Sequence, residues 1–149
     1  VVNYLKYTLN ITGHQLDEIL NKKSGLLGVS GVSSDKRDVE AAAAAGNPRA
    51  QLASDMLNYQ IKKTIGSYIA AMGGVDAVVF TAGVGENDAA TRSAVVEGLD
   101  FMGIKINEDK NAARGTVDIS ADDATVKTLV IPTNEELVIA RDTKELLDK

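Results

Sequence analysis

A short glycine-containing segment follows an apolar stretch in the second half of the chain. Residues 80–88 read FTAGVGEND. Gly83 and Gly85 would let a ligand approach the backbone, and a helix beginning after them would present unpaired N–H groups with partial positive charge, which suits a phosphate or nucleoside. The dinucleotide fingerprint is absent, because Asp88 stands where G-x-G-x-x-G requires glycine or alanine, and the sequence contains no P-loop. Spacing alone leaves open a ligand loop or a tight turn in which Asn87 or Asp88 caps the next helix.

A cluster of polar and charged residues, SGVSSDKRD, occupies positions 30–38. An acidic side chain here could bind ribose hydroxyls, and Arg37 could meet an anionic or aromatic group. The alternative is structural: Ser34 or Asp35 caps a helix whose first turn contains Asp38. From the sequence alone, capping is the favoured interpretation.

Two adjacent glutamates lie in the segment PTNEEL, at positions 132–137. Thr133 and Glu136 have the spacing of a capping box, which leaves Glu135 available to bind a metal directly or through water. Alternatively, Glu135 only complements the helix dipole, and the spacing alone favours that interpretation. His14 has no partner residues that would make it a catalyst.

The composition restricts the classes of function. The chain has 149 residues, 44% of them hydrophobic, which is enough for one compact core. A formal charge of -5 gives no general attraction to nucleic acid or to an anionic membrane. The absence of cysteine excludes disulfides, thiolate catalysis and Cys-based metal sites. No sequence pattern indicates export or a membrane span, so we expect a cytoplasmic protein.

The first half of the sequence reads as helical. VVNYLKYTL resembles the interior of a helix without a start signal, so we expect the chain to be a fragment. Thr12 and Gln15 form a capping box that opens the next helix. The glycine-rich segment 25–35 is expected to be a packed loop, and 35–45 a short helix stopped by Gly46.

A long helix is predicted after Asn47 and Pro48, which form an N-cap and first-turn pair, and it should end at Gly73. This helix is expected to be the main core helix, because its apolar residues recur at helical spacing. The apolar residues concerned are Ala53, Leu57, Ile61, Ile65 and Ile69, joined by Met56, Tyr68 and Met72.

The second half combines strands with helices. VDAVVFTA, at 75–82, is continuously apolar and predicts a strand buried on both faces of an α/β sheet. The segments at 103–107 and 126–132 are the other predicted strands. Helices are predicted over 88–99 and 134–147.

Four segments in order, KKSGLLGVSGVSSDKRD, DAVVFTAGVGEND, KN and LVIPTNEEL, resemble the C-terminal portion of acetate kinases, and the resemblance covers essentially the whole chain. It implies an α/β fold of the actin, Hsp70 and sugar-kinase type (ribonuclease H-like), as a C-terminal lobe truncated at its N-terminal side. Residues 1–149 would form a single partial nucleotide-binding domain. Such enzymes transfer phosphoryl between ATP and acetate to give acetyl phosphate.

The resemblance also implies roles for residues in the second half of the sequence. Glu135 matches the magnesium-associated glutamate of the family. The implied adenosine-side loop consists of Gly83, Val84, Gly85, Glu86 and Asn87.

A second nucleotide segment is implied at residues 35–37. Asp35 would lie near the ribose and Arg37 would flank the base. Many relatives carry an apolar residue that packs on adenine at the position of Lys36, so this sequence departs from the pattern there, although the methylene stem of Lys36 could still cover part of the ring.

The resemblance places the catalytic groups of the family upstream of Val1, so no catalytic residue is assigned in this chain. Those groups are an asparagine, substrate-binding arginines, a histidine and an aspartate, and His14 does not match the histidine. Phosphoryl transfer requires positioned cations, so we expect the fragment alone to be inactive.

Three hypotheses follow. The first is the C-terminal part of an acetate kinase that binds ATP or ADP and Mg²⁺, has acetate or acetyl phosphate as the other substrate, and forms a homodimer through exposed apolar faces. The second is a propionate or butyrate kinase relative. The third is a nucleotide-binding or scaffold module without chemistry.

Overall fold

The computed structural model describes residues 1–148 as a mixed α/β chain. The first helices are α1 (Val2–Thr8), α2 (Gly13–Lys22), α3 (Gly25–Ser30), α4 (Lys36–Ala44) and α5 (Pro48–Met72). They are followed by β1 (Ala77–Phe80), α6 (Ala82–Asn87), α7 (Ala89–Val96), α8 (Glu108–Asn111), β2 (Val117–Asp118), β3 (Lys127–Val130) and α9 (Glu135–Leu147). Contacts group the chain into two compact units, Val1–Ile61 and the residues from Lys62 onward. The single partial domain over 1–149 stays a prediction.

Local capping fixes two helix starts in the first unit. The Thr12 hydroxyl accepts a hydrogen bond from Gln15 N (3.2 Å), and the Gln15 side chain accepts one from Thr12 N (2.9 Å). Asn47 Oδ1 accepts hydrogen bonds from the backbone N–H groups of Arg49 and Ala50 (3.0 and 3.2 Å). Both predicted caps are therefore confirmed, because the side chains satisfy N–H groups that have no partner within their helices.

The structure of residues 25–30 differs from the expectation. They form α3 rather than a packed loop. Leu26 and Val29, three residues apart, pack against a small core that contains Val39 and the buried alanines of α5. Burial of two apolar side chains on one helical face outweighs the low helix propensity of the glycines.

Helix α5 has the predicted length, but it is less buried than predicted. Only Ala50 and Ala53 are fully buried. Met56, Tyr68 and Met72, which were expected in the core, are 51%, 63% and 63% exposed. Helical spacing identifies an apolar face but does not determine what covers it.

The sheet of the second unit has three strands in the order β1-β3-β2. β1 pairs in parallel with β3, and β2 pairs antiparallel with β3. The strand at 126–132 is confirmed by β3, whereas 103–107 contributes only isolated bridges at Ile104 and Ile106. The prediction that β1 is buried on both faces is wrong, since β1 lies at the sheet edge and Val79 is 48% exposed.

The second unit has a larger apolar core than the first. Its buried residues are Phe80, Val95, Val96, Leu99, Ile104, Ile119, Val126 and Val130. Helix α7 contributes two of these residues, so the segment between β1 and α7 is anchored at both ends. Within residues 1–148, no helix is both long and apolar enough to cross a membrane.

Candidate functional site

The segment after β1 enters a helix almost at once. The prediction of a loop over residues 83–87 is wrong, because these residues belong to the short helix α6. Asp88 caps the next helix, since its carboxylate accepts hydrogen bonds from the N–H and hydroxyl groups of Thr91 (2.8 and 2.7 Å). Ala82 has a φ of 58°, a left-handed conformation that costs an alanine about 1–2 kcal/mol. Such strain is often found at functional sites.

The two glycines of α6 have different surroundings. A Cβ on Gly85 would lie 3.1 Å from the carbonyl carbon and 3.4 Å from the Cα of Phe80. Gly85 therefore allows α6 to fold back against the end of β1. A Cβ on Gly83 would meet no atom within 4 Å, so close packing inside the chain gives no reason for a glycine there. An open glycine is compatible with a ligand that approaches the backbone.

Arg92 contacts α6 from its buried side, and the sequence analysis did not identify this residue. The residue is only 2% exposed. Its guanidinium donates hydrogen bonds to the carbonyl oxygens of Gly85 and Glu86 (2.8 and 3.0 Å) and to Asn111 Oδ1 and O (2.7 and 2.5 Å). Burial lowers the pKa of Arg92, and the negative charge of Asp88 partly offsets this. The missed signal was position: Arg92 precedes the buried Val95 and Val96 by three and four residues, on the same helical face.

The carboxylate of Glu86 links α6 to the segment before α9. Glu86 Oε1 accepts hydrogen bonds from the N–H and hydroxyl groups of Thr133 (2.7 and 3.1 Å), a residue 47 positions away. The predicted capping box of Thr133 and Glu136 is therefore wrong. Asn134 caps α9 instead, since its Oδ1 accepts from Leu137 N (2.9 Å). Thr133 has a tertiary partner, which a local pattern does not reveal.

A cleft of about 460 Å³ lies between the start of α6 and the start of α9. Its lining residues are Ala82, Gly83, Thr133, Asn134, Glu135 and Glu136. Two of the predicted site residues, Gly83 and Glu135, are thus brought to one cleft, whereas the side chains of Glu86 and Asn87 bond to Thr133 and to Gly83 O (3.0 Å). Glu135 is exposed at the first position of α9. Among residues 1–148, no three acidic, histidine or cysteine side chains converge as a ready metal site, so a cation here would need ligands besides protein carboxylates.

A second cleft, of about 710 Å³, lies between α7 and residues 104–108. Ser93, Lys105 and Glu108 are among its lining residues. It shares no lining residue with the first cleft and contains none of the predicted site residues. Of the predicted site residues, only Gly83 and Glu135 line either of these two clefts, and both line the smaller one.

Residues 35–37 lie in the first unit, at the start of α4. Asp35 caps this helix, because its carboxylate accepts from Arg37 N (2.9 Å), and it also accepts from the Arg37 guanidinium (3.1 and 2.5 Å). Hydrogen bonds from Arg37 lower the pKa of Asp35 to about 2. The Lys36 ammonium bonds to Glu40, and its side chain is only 11% exposed. Capping by Asp35 leaves the side chain of Arg37 88% exposed.

The sequence is similar to a known protein family. The profile of the Acetokinase family matches residues 1–141. The chain belongs to the acetokinase family. It is 52% identical over its whole length to an acetate kinase of Clostridium botulinum (strain Langeland), and it spans 38% of that relative's length.

Solved structures of acetokinase-family proteins agree with the fold. The crystal structure of the Porphyromonas gingivalis acetate kinase is similar, with a TM-score of 0.89 and 46% identity over 98% of this chain and 37% of that one. A propionate kinase of Francisella tularensis is similar with a TM-score of 0.83 and 36% identity, over 93% of this chain and 35% of that one. The family resemblance and the α/β fold class are thus confirmed. The nucleotide and metal roles of individual residues stay predictions.

Proposed function

We propose that this chain forms the adenine-nucleotide and magnesium side of an acetate kinase, which transfers phosphoryl between ATP and acetate to give acetyl phosphate. The observation that carries the proposal is the smaller cleft, where Gly83 and Glu135 line the same space. Each residue was selected from a different sequence segment. The chain spans 38% of the length of its C. botulinum relative, so the complete reaction is part of the proposal.

The adenosine would approach the backbone of α6 at Gly83, where a Cβ would meet nothing within 4 Å. Val84 is 45% exposed and offers an apolar surface beside it. Within the first unit, Asp35 and Arg37 are the second proposed nucleotide segment, with a carboxylate that would accept from ribose hydroxyls and an exposed guanidinium that would flank a base. The ammonium of Lys36 bonds to Glu40 and its side chain is only 11% exposed, so Lys36 offers adenine little surface.

Magnesium fits the donor set of the cleft. Mg²⁺ is commonly bound by one or two carboxylates together with waters and substrate phosphates, and it needs no dedicated protein cage. Glu135 and Glu136 supply carboxylates at the cleft, and Glu135 is the residue that would hold the ion. When bound, Mg²⁺ neutralises charge on the phosphate oxygens during transfer. Without a cation, the two glutamates would repel a nucleotide phosphate.

The direct test is calorimetric titration of the 149-residue chain with ADP and ATP, with and without Mg²⁺. We expect saturable binding that Mg²⁺ strengthens, that Gly83→Val abolishes, and whose Mg²⁺ dependence Glu135→Gln removes. Gly66→Val is the matched control, because Gly66 lies in α5 and is equally free of contacts at its Cβ. Absence of nucleotide binding by a folded chain, or equal effects of the two valine variants, would count against the proposal.

Propionate is the alternative acyl substrate, and the similarity to the F. tularensis propionate kinase supports keeping it. The higher identity and TM-score of the P. gingivalis acetate kinase favour acetate. The ratio of kcat/KM for acetate and propionate, measured on a complete enzyme that contains this chain, decides between them. The proposal also includes a homodimer, to be tested by sedimentation, and a cytoplasmic location.

A further inference from the structure

The geometry points to Glu86 as a positioning residue that holds the start of α9 against α6, rather than as a group that contacts the nucleotide. The inference rests on the proposed function, because it concerns how the two walls of the same cleft are kept in place. Resemblance alone had grouped Glu86 with the ligand-binding loop.

The Glu86 carboxylate is bonded within the chain. Glu86 does not line the cleft, although its neighbours Ala82 and Gly83 do. Its Oε1 atom accepts two hydrogen bonds from Thr133, at 2.7 Å from the N–H and 3.1 Å from the hydroxyl. A carboxylate that accepts a backbone N–H and a hydroxyl is a strong local clamp, because hydrogen bonds to ionised acceptors are stronger than neutral ones.

The two hydrogen bonds between Glu86 and Thr133 join two segments that are each fixed by other contacts. On one side, the backbone carbonyl of Glu86 is fixed by the buried guanidinium of Arg92 (3.0 Å). On the other side, Thr133 is followed by Asn134, which caps α9, and by Glu135. A continuous set of hydrogen bonds therefore runs from the core to the residue before the α9 cap. It sets the separation of Gly83 from Glu135, and hence of the nucleotide from its metal.

Four variants separate positioning from direct contact. Glu86→Ala removes the clamp. Glu86→Gln removes the charge but keeps an amide oxygen that can accept from Thr133. It should therefore restore part of what Glu86→Ala loses. Thr133→Val removes only the hydroxyl bond, and the double variant with Glu86→Ala completes a cycle. Glu97→Ala is the matched control, because it removes an exposed glutamate outside the smaller cleft.

The first readout is amide hydrogen exchange at residues 133–136 in the chain without ligand. We expect Glu86→Ala to speed exchange at Thr133 about tenfold or more, because its N–H loses a charged acceptor. Glu86→Gln should stay nearer to the unsubstituted chain, and the double variant should exchange no faster than Glu86→Ala alone. Unchanged exchange in Glu86→Ala would overturn the inference, whether or not the chain binds nucleotide.

The second readout is the dissociation constant of ADP with and without Mg²⁺. We expect Glu86→Ala to weaken binding about threefold to tenfold with Mg²⁺, and less without it, because the displaced Glu135 acts through the ion. Rescue by Glu86→Gln supports positioning. An equal loss in Glu86→Gln and Glu86→Ala would overturn it in favour of direct contact through charge. If the unsubstituted chain binds no nucleotide, the proposed function fails, while exchange still decides whether Glu86 holds Thr133.

Discussion

Replacing Arg92 by methionine should destabilise the second unit strongly. Methionine is unbranched and apolar, so it fills much of the same space without a donor. The change leaves four acceptor positions without their present donor: Asn111 Oδ1, Asn111 O, and the carbonyls of Gly85 and Glu86. The two bonds to Asn111 are buried, whereas the two to α6 are partly buried and accessible to water in the variant.

The expected loss of stability comes from the two buried acceptors on Asn111. An unsatisfied buried acceptor costs about 1–3 kcal/mol, so the two acceptors on Asn111 cost about 2–6 kcal/mol. Methionine avoids the desolvation of a buried charge, which offsets part of this cost. We therefore expect the free energy of unfolding to fall by about 3 kcal/mol. At roughly 2–4 °C per kcal/mol for a chain of this size, Tm should fall by about 6–12 °C.

The assay is urea and thermal unfolding followed by far-UV circular dichroism. Arg114→Met is the matched control, because Arg114 is exposed and its substitution should change stability by less than about 0.5 kcal/mol. Arg92→Lys should lie between, since it keeps the charge and loses the planar fork of donors. Equal stability of Arg92→Met and Arg114→Met would refute the reasoning that the buried oxygens of Asn111 depend on the Arg92 donors.

Three further predictions concern single positions. Ala82→Gly should leave stability unchanged or raise it by up to about 1 kcal/mol, because glycine relieves the left-handed strain, whereas Ala70→Gly in α5 should cost about 0.5–1 kcal/mol in the same denaturation assay. Gly85→Ala should cost about 1–3 kcal/mol, because its Cβ would press on the backbone of Phe80, while Gly83→Ala should cost nothing in the same melts. Hydrogen bonds from Lys127 and Ser120 hold the pKa of Asp118 below its ordinary value of 3.8, so its contribution to stability is complete above about pH 4 and is lost as the pH falls below that. Asp118→Asn should therefore be less stable than the unsubstituted chain at neutral pH and approach it in acid, and a constant difference across this range would contradict the assignment.

Local patterns predicted the parts of the fold that depend on neighbouring residues. Thr12 with Gln15 and Asn47 with Pro48 placed two helix starts, because the capping partner lies within three residues. The strand β3 followed from its own composition. The prediction of a loop at residues 25–30 was wrong, because the helix there is stabilised by core residues of α4 and α5. No local sequence pattern contains those residues.

The candidate site was predictable only in part, for the same reason. Glycine content and the family resemblance selected Gly83 and Glu135, and both line one cleft. Glu86 was selected with them, although its carboxylate has a tertiary partner in Thr133. Sequence similarity marks residues that a site requires, but it does not separate those that touch a ligand from those that hold the others in place.

Arg92 shows what non-local information adds to such a site. In a sequence, an arginine on a short helix suggests a solvated face. Here its five N–H donors suit a position where carbonyls of α6 and both oxygens of Asn111 converge without a directly bonded carboxylate. A lysine offers three donors on a compact head and a small apolar residue offers none, so neither satisfies these oxygens. The position of α6 at the smaller cleft is therefore held from its buried side by a cation that bonds to no residue lining the cleft, and variation at Arg92 should alter the cleft without altering any residue that lines it.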